Sequence, residues 1–175
     1  DRLISWTEHP DPGVRYFSFT AAYRASFRWA GPRRADERYV LDLGDLKNLA
    51  EVELNGRPFP VLWKPPFRVD VTDALTAGEN ALVVKVTNLW PNRLIGDEQL
   101  PPDRDWTGPA PKPVPEFTGR SLKEIPSWVT DGKPSPTGRY TFTTWWHYKK
   151  DAKLLPSGLF GPVELLTEKR LMFRP

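Results

Sequence analysis

No cysteine occurs anywhere in the chain, which excludes disulfide staples, thiolate metal sites and cysteine nucleophiles and leaves the compartment open. Histidine is almost as scarce, with two, too few for a histidine-built metal cluster. No apolar run approaches the roughly 18 residues that a membrane-spanning helix needs. Charge of one sign is not in excess either: 25 Lys and Arg oppose 22 Asp and Glu, a formal +3, with no block of like charges. We therefore expect neither a membrane nor a nucleic acid as partner. The nucleophile-elbow, zinc-protease and phosphate-loop patterns are all missing.

What is present is proline and tryptophan, 20 and 8 of them in 175 residues, on a 39% apolar background that suffices for a core. Proline at this density favours loops and strand edges over helices. The stretch from Tyr39 to Thr87 alternates apolar and polar residues in four runs: Tyr39–Leu43, Glu51–Leu54, Phe67–Val71 and Leu82–Thr87. Asn55-Gly56 tolerates positive φ, so the second run is expected to turn tightly into Arg57–Val61. Thr72-Asp73 is placed to cap one helical turn before Gly78 opens the fourth run.

Upstream, His9-Pro10 and Asp11-Pro12-Gly13 read as a turn, with Val14–Thr20 and Ala22–Trp29 as strands. Downstream, about 91–138 holds ten of the 20 prolines and little alternation. It reads as a long loop laid down as a strap, because Trp106, Phe117 and Trp128 suit a packed segment better than a disordered one. Leu122–Trp128 is expected to make one helical turn stopped by Pro126. Strands are expected again at Arg139–Tyr148, Gly161–Leu166 and Arg170–Phe173. The fold class is all-β, an antiparallel β-sandwich forming one domain over 1–175.

Four segments carry a family resemblance: SWTEHPDPGVRYFSFTAAYRASF (5–27), LWKPPFRVDVTDAL (62–75), NLWPNRLIGDEQLP (88–101) and TTWWHYKKDAKLLPSGLFGPVELL (143–166). AEVELNG, DVTDAL and GENALVVKVTN resemble the sugar-binding β-sandwich of family 2 glycoside hydrolases. The whole set resembles the C-terminal β-sandwich of family 106 α-L-rhamnosidases, with LWPNRLIGDE and LLPSGLFGPV the most specific pieces. The resemblance implies a galactose-binding-like jelly roll that accompanies a catalytic barrel in the same polypeptide. That missing catalytic domain and a poly- or oligosaccharide are the implied partners, and a periplasmic or secreted location suits such a substrate. Sandwiches of this kind need no cofactor and often hold a structural calcium, so one calcium ion is an open expectation. Beginning at Asp1 with no leader, the chain reads as an excised or processed fragment.

Catalysis of glycoside hydrolysis needs two carboxylates across the scissile bond. Asp97-Glu98 is the obvious pair, but neighbours in an extended segment face opposite ways, and Arg93 four residues earlier suits a buried ion pair with Asp97. We read no catalytic residue here. Sugar binding instead needs an exposed aromatic plane and a few fixed polar groups. The candidates are Trp63 and Lys64 before Pro65-Pro66, Trp90, Asn92 and Arg93 after the last central strand, and Trp145, Trp146, His147 and Tyr148. Each has a purely structural alternative as a core, strap or loop-network contact. The functional expectation is a non-catalytic carbohydrate-binding module. The alternative is a ligand-free structural sandwich that packs against a catalytic barrel.

Overall fold

The structure, a computed structural model, describes residues 2–108, 118–119 and 121–169, with Thr118, Gly119 and Trp146 by their backbone alone. Strands run in the order β1 (Thr20–Trp29), β2 (Glu37–Asp42), β3 (Asp45–Lys47), β4 (Leu49–Leu54), β5 (Arg57–Pro58), β6 (Arg68–Asp70) and β7 (Gly78–Thr87). They continue as β8 (Thr118–Gly119), β9 (Trp145–Trp146), β10 (Gly158–Gly161) and β11 (Glu164–Lys169). Among the described residues there are also three short α-helices, α1 (Pro12–Arg15), α2 (Pro91–Asp97) and α3 (Ser127–Thr130), and a 3-10 turn at Trp6–Glu8. The class is the expected one: antiparallel β throughout its strand pairs, with little helix.

The chain gathers into two compact units. The first combines the residues up to Glu8 with Phe19–Asn88 and those from Pro156 on; the second combines His9–Ser18 with Leu89–Leu155. The first unit holds the sandwich. One sheet has the order β1-β7-β4-β5, another β11-β2-β6, with β10-β3 as a short ribbon. The period of two in β7 buries Asn80, Leu82, Val84 and Val86 and exposes the residues between them more. Register places Val84 opposite Val52 and Leu82 opposite Leu54, so both strands turn the same apolar face to the core. Tyr39, Leu41, Leu43, Phe67 and Val71 supply buried side chains from the β2–β6 side.

The expected turn is present. Asn55 (φ 53°) and Gly56 (φ 79°) both lie in the left-handed region between β4 and β5, as a two-residue hairpin requires. Asn55 also donates to the Ala74 carbonyl and to Asn80 Oδ1, while its own Oδ1 accepts from the Ala81 amide. One asparagine thus ties the hairpin to the start of β7. The single helical turn before β7 forms too, with the Leu75 amide donating to the Val71 carbonyl.

Several expectations fail in the second unit and around it. Val14–Thr20 is not a strand up to its last residue: Asp11 accepts from the Gly13 amide, Pro12 starts the first turn, and α1 follows. The 91–138 segment opens with α2 rather than loop, because Pro91 at the first helical position costs no hydrogen bond while Ile95 is buried. Pro126 precedes α3 instead of stopping a turn, again because a proline lacks only an amide that a helix start leaves unused. Residues 139–144 form no strand, the amides of Tyr140 and Thr141 donating to the Asp97 carboxylate instead. Trp106 and Leu122 instead form an antiparallel bridge, flanked by Thr107-to-Ser121 and Lys123-to-Asp105 backbone bonds. Phe117 and the strand expected at Arg170–Phe173 lie outside the described residues.

Candidate functional site

Asp97, the last residue of α2, organises the second unit. Its side chain is 2% exposed and pairs with Arg93 Nη2 at 3.1 Å, one helical turn earlier. The same carboxylate accepts from the Tyr140 amide at 3.1 Å, from the Thr141 amide at 2.7 Å and from Thr141 Oγ1 at 2.6 Å. A buried carboxylate is tolerated when its oxygens are saturated in this way. Gly96 leaves room for the arrangement, since a Cβ there would strike Arg93 Nη2 and Tyr16. The ion pair expected between Arg93 and Asp97 is therefore present. The reason given for separating Asp97 from Glu98 is corrected: these residues end a helix, where neighbours diverge by about 100°, and are not extended.

Glu98 accepts from Arg139 Nη1 at 2.8 Å, and Arg139 also donates to the Pro101 and Leu100 carbonyls. This pair floors a shallow recess bordered by Thr141, Thr143, Trp145, His147 and Tyr148. Its free volume is about 10 Å³, so it is a contact surface and not a chamber. Trp145, at the start of β9, is 50% exposed, and Thr143 Oγ1 accepts from its amide at 3.1 Å. An indole is thus held beside a carboxylate, a guanidinium, two hydroxyls and an imidazole.

Of the residues singled out from sequence, Trp145, His147 and Tyr148 come together here. Trp90 caps α2 one turn before Leu94, which borders the same recess, and is half exposed. The side chain of Trp146 lies outside the described residues. Asn92 is buried, donating to the Leu155 carbonyl and accepting from its amide, each at 2.8 Å, so its polar groups fasten the chain at 155. Arg93 is committed to Asp97. Trp63 belongs to the first unit, is 69% exposed, and carries Lys64 Nζ 5.1 Å from its ring centre. Sequence reasoning missed Arg139, Thr141 and Thr143; the first two lie outside the four resembling segments, and Thr143 opens one of them without having been singled out. Among the described residues no group of three or more His, Asp or Glu side chains is placed to hold a metal ion.

The site sets a half-exposed indole beside carboxylates that are each paired with an arginine, on a chain whose described strands all pair antiparallel. Comparison with known proteins narrows this. No family model matches the chain. A protein of Formosa agariphila described as "Putative beta-glucuronidase" is 45% identical over 174 residues, covering 98% of this chain. A rhamnosidase structure from Novosphingobium sp. PP1Y is 34% identical with a TM-score of 0.69, covering 95% of this chain. This chain spans only 14% of the Formosa protein and 12% of the Novosphingobium one. The chain corresponds to a small domain of large glycoside hydrolases.

Proposed function

We propose that the chain is a non-catalytic carbohydrate-binding domain, the C-terminal sandwich type of family 106 rhamnosidases, with a catalytic domain elsewhere in the same polypeptide. The observation that carries this reading is Trp145, half exposed beside the Glu98–Arg139 pair and the Thr141 and Thr143 hydroxyls. An indole face receives the C–H face of a pyranose, while the rim receives its hydroxyls. The pairings of Glu98 and Arg139 hold that rim in place, so binding orders few new groups. Rhamnose-containing pectic polymers are the first glycans to try, from the family resemblance and the Novosphingobium relative.

Affinity electrophoresis of the chain through gels containing rhamnogalacturonan, galactan or other polysaccharides tests this. We expect retardation by at least one glycan and an affinity in the micromolar to millimolar range, the scale of a few stacking and hydrogen-bond contacts. Trp145→Ala should remain folded and lose most of that retardation. Unchanged migration of the parent chain in every gel would refute the proposal.

A further inference from the structure

A second cavity lies in the same unit, apart from the Trp145 recess in its lining residues. It measures about 410 Å³, within the usual span of ligand pockets, and is walled by the Pro102–Asp105 segment, α3 and Pro136-Thr137. Three of its wall residues are prolines, Pro102, Pro126 and Pro136, whose fixed φ leaves little freedom to lose on binding. The remaining wall is braced from within. Arg104 Nη1 donates to Asp103 Oδ1 at 2.7 Å, and the Arg104 side chain is only 4% exposed. Its guanidinium lies 5.3 Å from the Trp106 ring centre and 5.5 Å from that of Phe142. Burial pushes the Arg104 pKa below the ordinary arginine value, against the opposing pull of Asp103. Asp103 in turn accepts from Ser135 Oγ at 2.8 Å through its carboxylate and from Trp128 Nε1 at 3.1 Å through its carbonyl. Trp128, which lines the cavity, is therefore held at its nitrogen and also stands edge-on to Phe142.

Two carboxylates in this wall, Asp105 and Glu124, make no ion pair and no side-chain hydrogen bond among the described residues. The Arg104 charge is already matched by Asp103, so these two leave the cavity negative. We infer that this pocket is a second sugar-binding site, taking an uncharged glycosyl residue and discriminating against uronates. The inference rests on the reading of the chain as a carbohydrate-binding domain. Free carboxylates are strong acceptors for ligand hydroxyl groups, and Ser127 and Thr137 add hydroxyls to the same wall. A uronate would bring a third unpaired negative charge into the pocket and meet repulsion. The indole of Trp128 and the proline rings supply the apolar counterpart to a pyranose face.

The test is a titration of the ¹⁵N-labelled full chain, read at the indole resonances of Trp128 and Trp145. The probes are neutral gluco-, galacto- and rhamno-oligosaccharides, oligogalacturonate and calcium chloride. A neutral oligosaccharide should shift Trp128, and the double variant Asp105→Asn, Glu124→Gln should weaken that response roughly tenfold, as loss of hydrogen bonds to charged acceptors implies. Its melting temperature should match the parent, because neither side chain holds the fold. Shifts at Trp145 alone would overturn this site and leave the module reading standing. Silence at both indoles would overturn both. Tighter binding of oligogalacturonate, a Trp128 response to calcium alone, or an unweakened double variant would each overturn the inference.

Discussion

At the scale of single residues, a buried carboxylate ties two segments of the second unit together. Asp97 satisfies two backbone amides, a hydroxyl and a guanidinium, and it does so with its side chain closed to solvent. Removing one partner strands the other. Arg93→Ala leaves Asp97 buried without its cation, at a cost of roughly 3–5 kcal/mol. Asp97→Asn keeps the shape but forfeits charge-assisted bonds to Tyr140 and Thr141. Both variants should show lower melting temperatures by calorimetry, Arg93→Ala by several degrees or more. If Arg93→Ala melts like the parent, the pair is not a structural clamp. Next to it Arg139 pairs with Glu98, and there the carboxylate side chain is 25% exposed against 7% for the arginine.

At the scale of elements, polar side chains settle how strand ends are held. Asp70 closes β6 onto β2: its Oδ2 accepts from Arg38 Nε at 2.9 Å, and its Oδ1 accepts from the Thr72 hydroxyl at 2.6 Å and amide at 3.0 Å. Thr72 Oγ1 accepts from the Tyr39 amide at the start of the same pairing. Partial burial pushes the Asp70 pKa up, but the Thr72 bonds and Arg38 outweigh it and the net shift is downward. A carboxyl whose folded pKa is depressed stabilises above its unfolded pKa, about 4, and that contribution is lost as pH falls through the folded value. Asp70→Asn should therefore melt below the parent at pH 7, and the gap should shrink as the pH is lowered below about 4. A gap independent of pH would mean that the carboxylate charge contributes nothing to this junction. Both Arg38 and Asp70 are substantially exposed, so salt should reduce the effect as well.

For the molecule as a whole, the disposition of its carboxylates bears on activity. A glycosidase sets a buried general acid against a second carboxylate roughly 5–10 Å away. Asp97 and Glu98 are each committed to a different arginine, and Asp103 is committed to Arg104 and Ser135. Asp105 and Glu124 are free of such pairing but exposed, and lack the burial a general acid requires. We expect the chain to release no aryl aglycone from rhamnoside, galactoside or glucuronide substrates over long incubation. Turnover abolished by Glu124→Gln or Glu98→Gln would place chemistry here and sink the accessory-domain reading. The chain matches 14% or less of either large relative, most of whose length lies outside the matched part.

The sandwich was legible in the chain because its information is local. A period of two over Leu82–Thr87 and Glu51–Leu54 chooses an inner face, and Asn55-Gly56 chooses the turn between strands. The Arg93–Asp97 pair was expected from opposite charges four residues apart in a segment read as extended loop; that spacing in fact places both on one side of α2. The helix itself was not, because the many prolines of that region mask a start that Pro91 in fact favours. Nor was the fate of 139–144. Its alternation, TFTT, has the appearance of a strand, yet the amides of Tyr140 and Thr141 donate to a carboxylate more than 40 positions earlier in the chain. Which of many acidic residues would satisfy those amides depends on closing that long loop around α2, and no local pattern encodes it. The recess at Trp145 and the pocket at Trp128 are products of that closure, assembled from Glu98 and Arg139, or from Asp105 and Glu124, only once the second unit has folded.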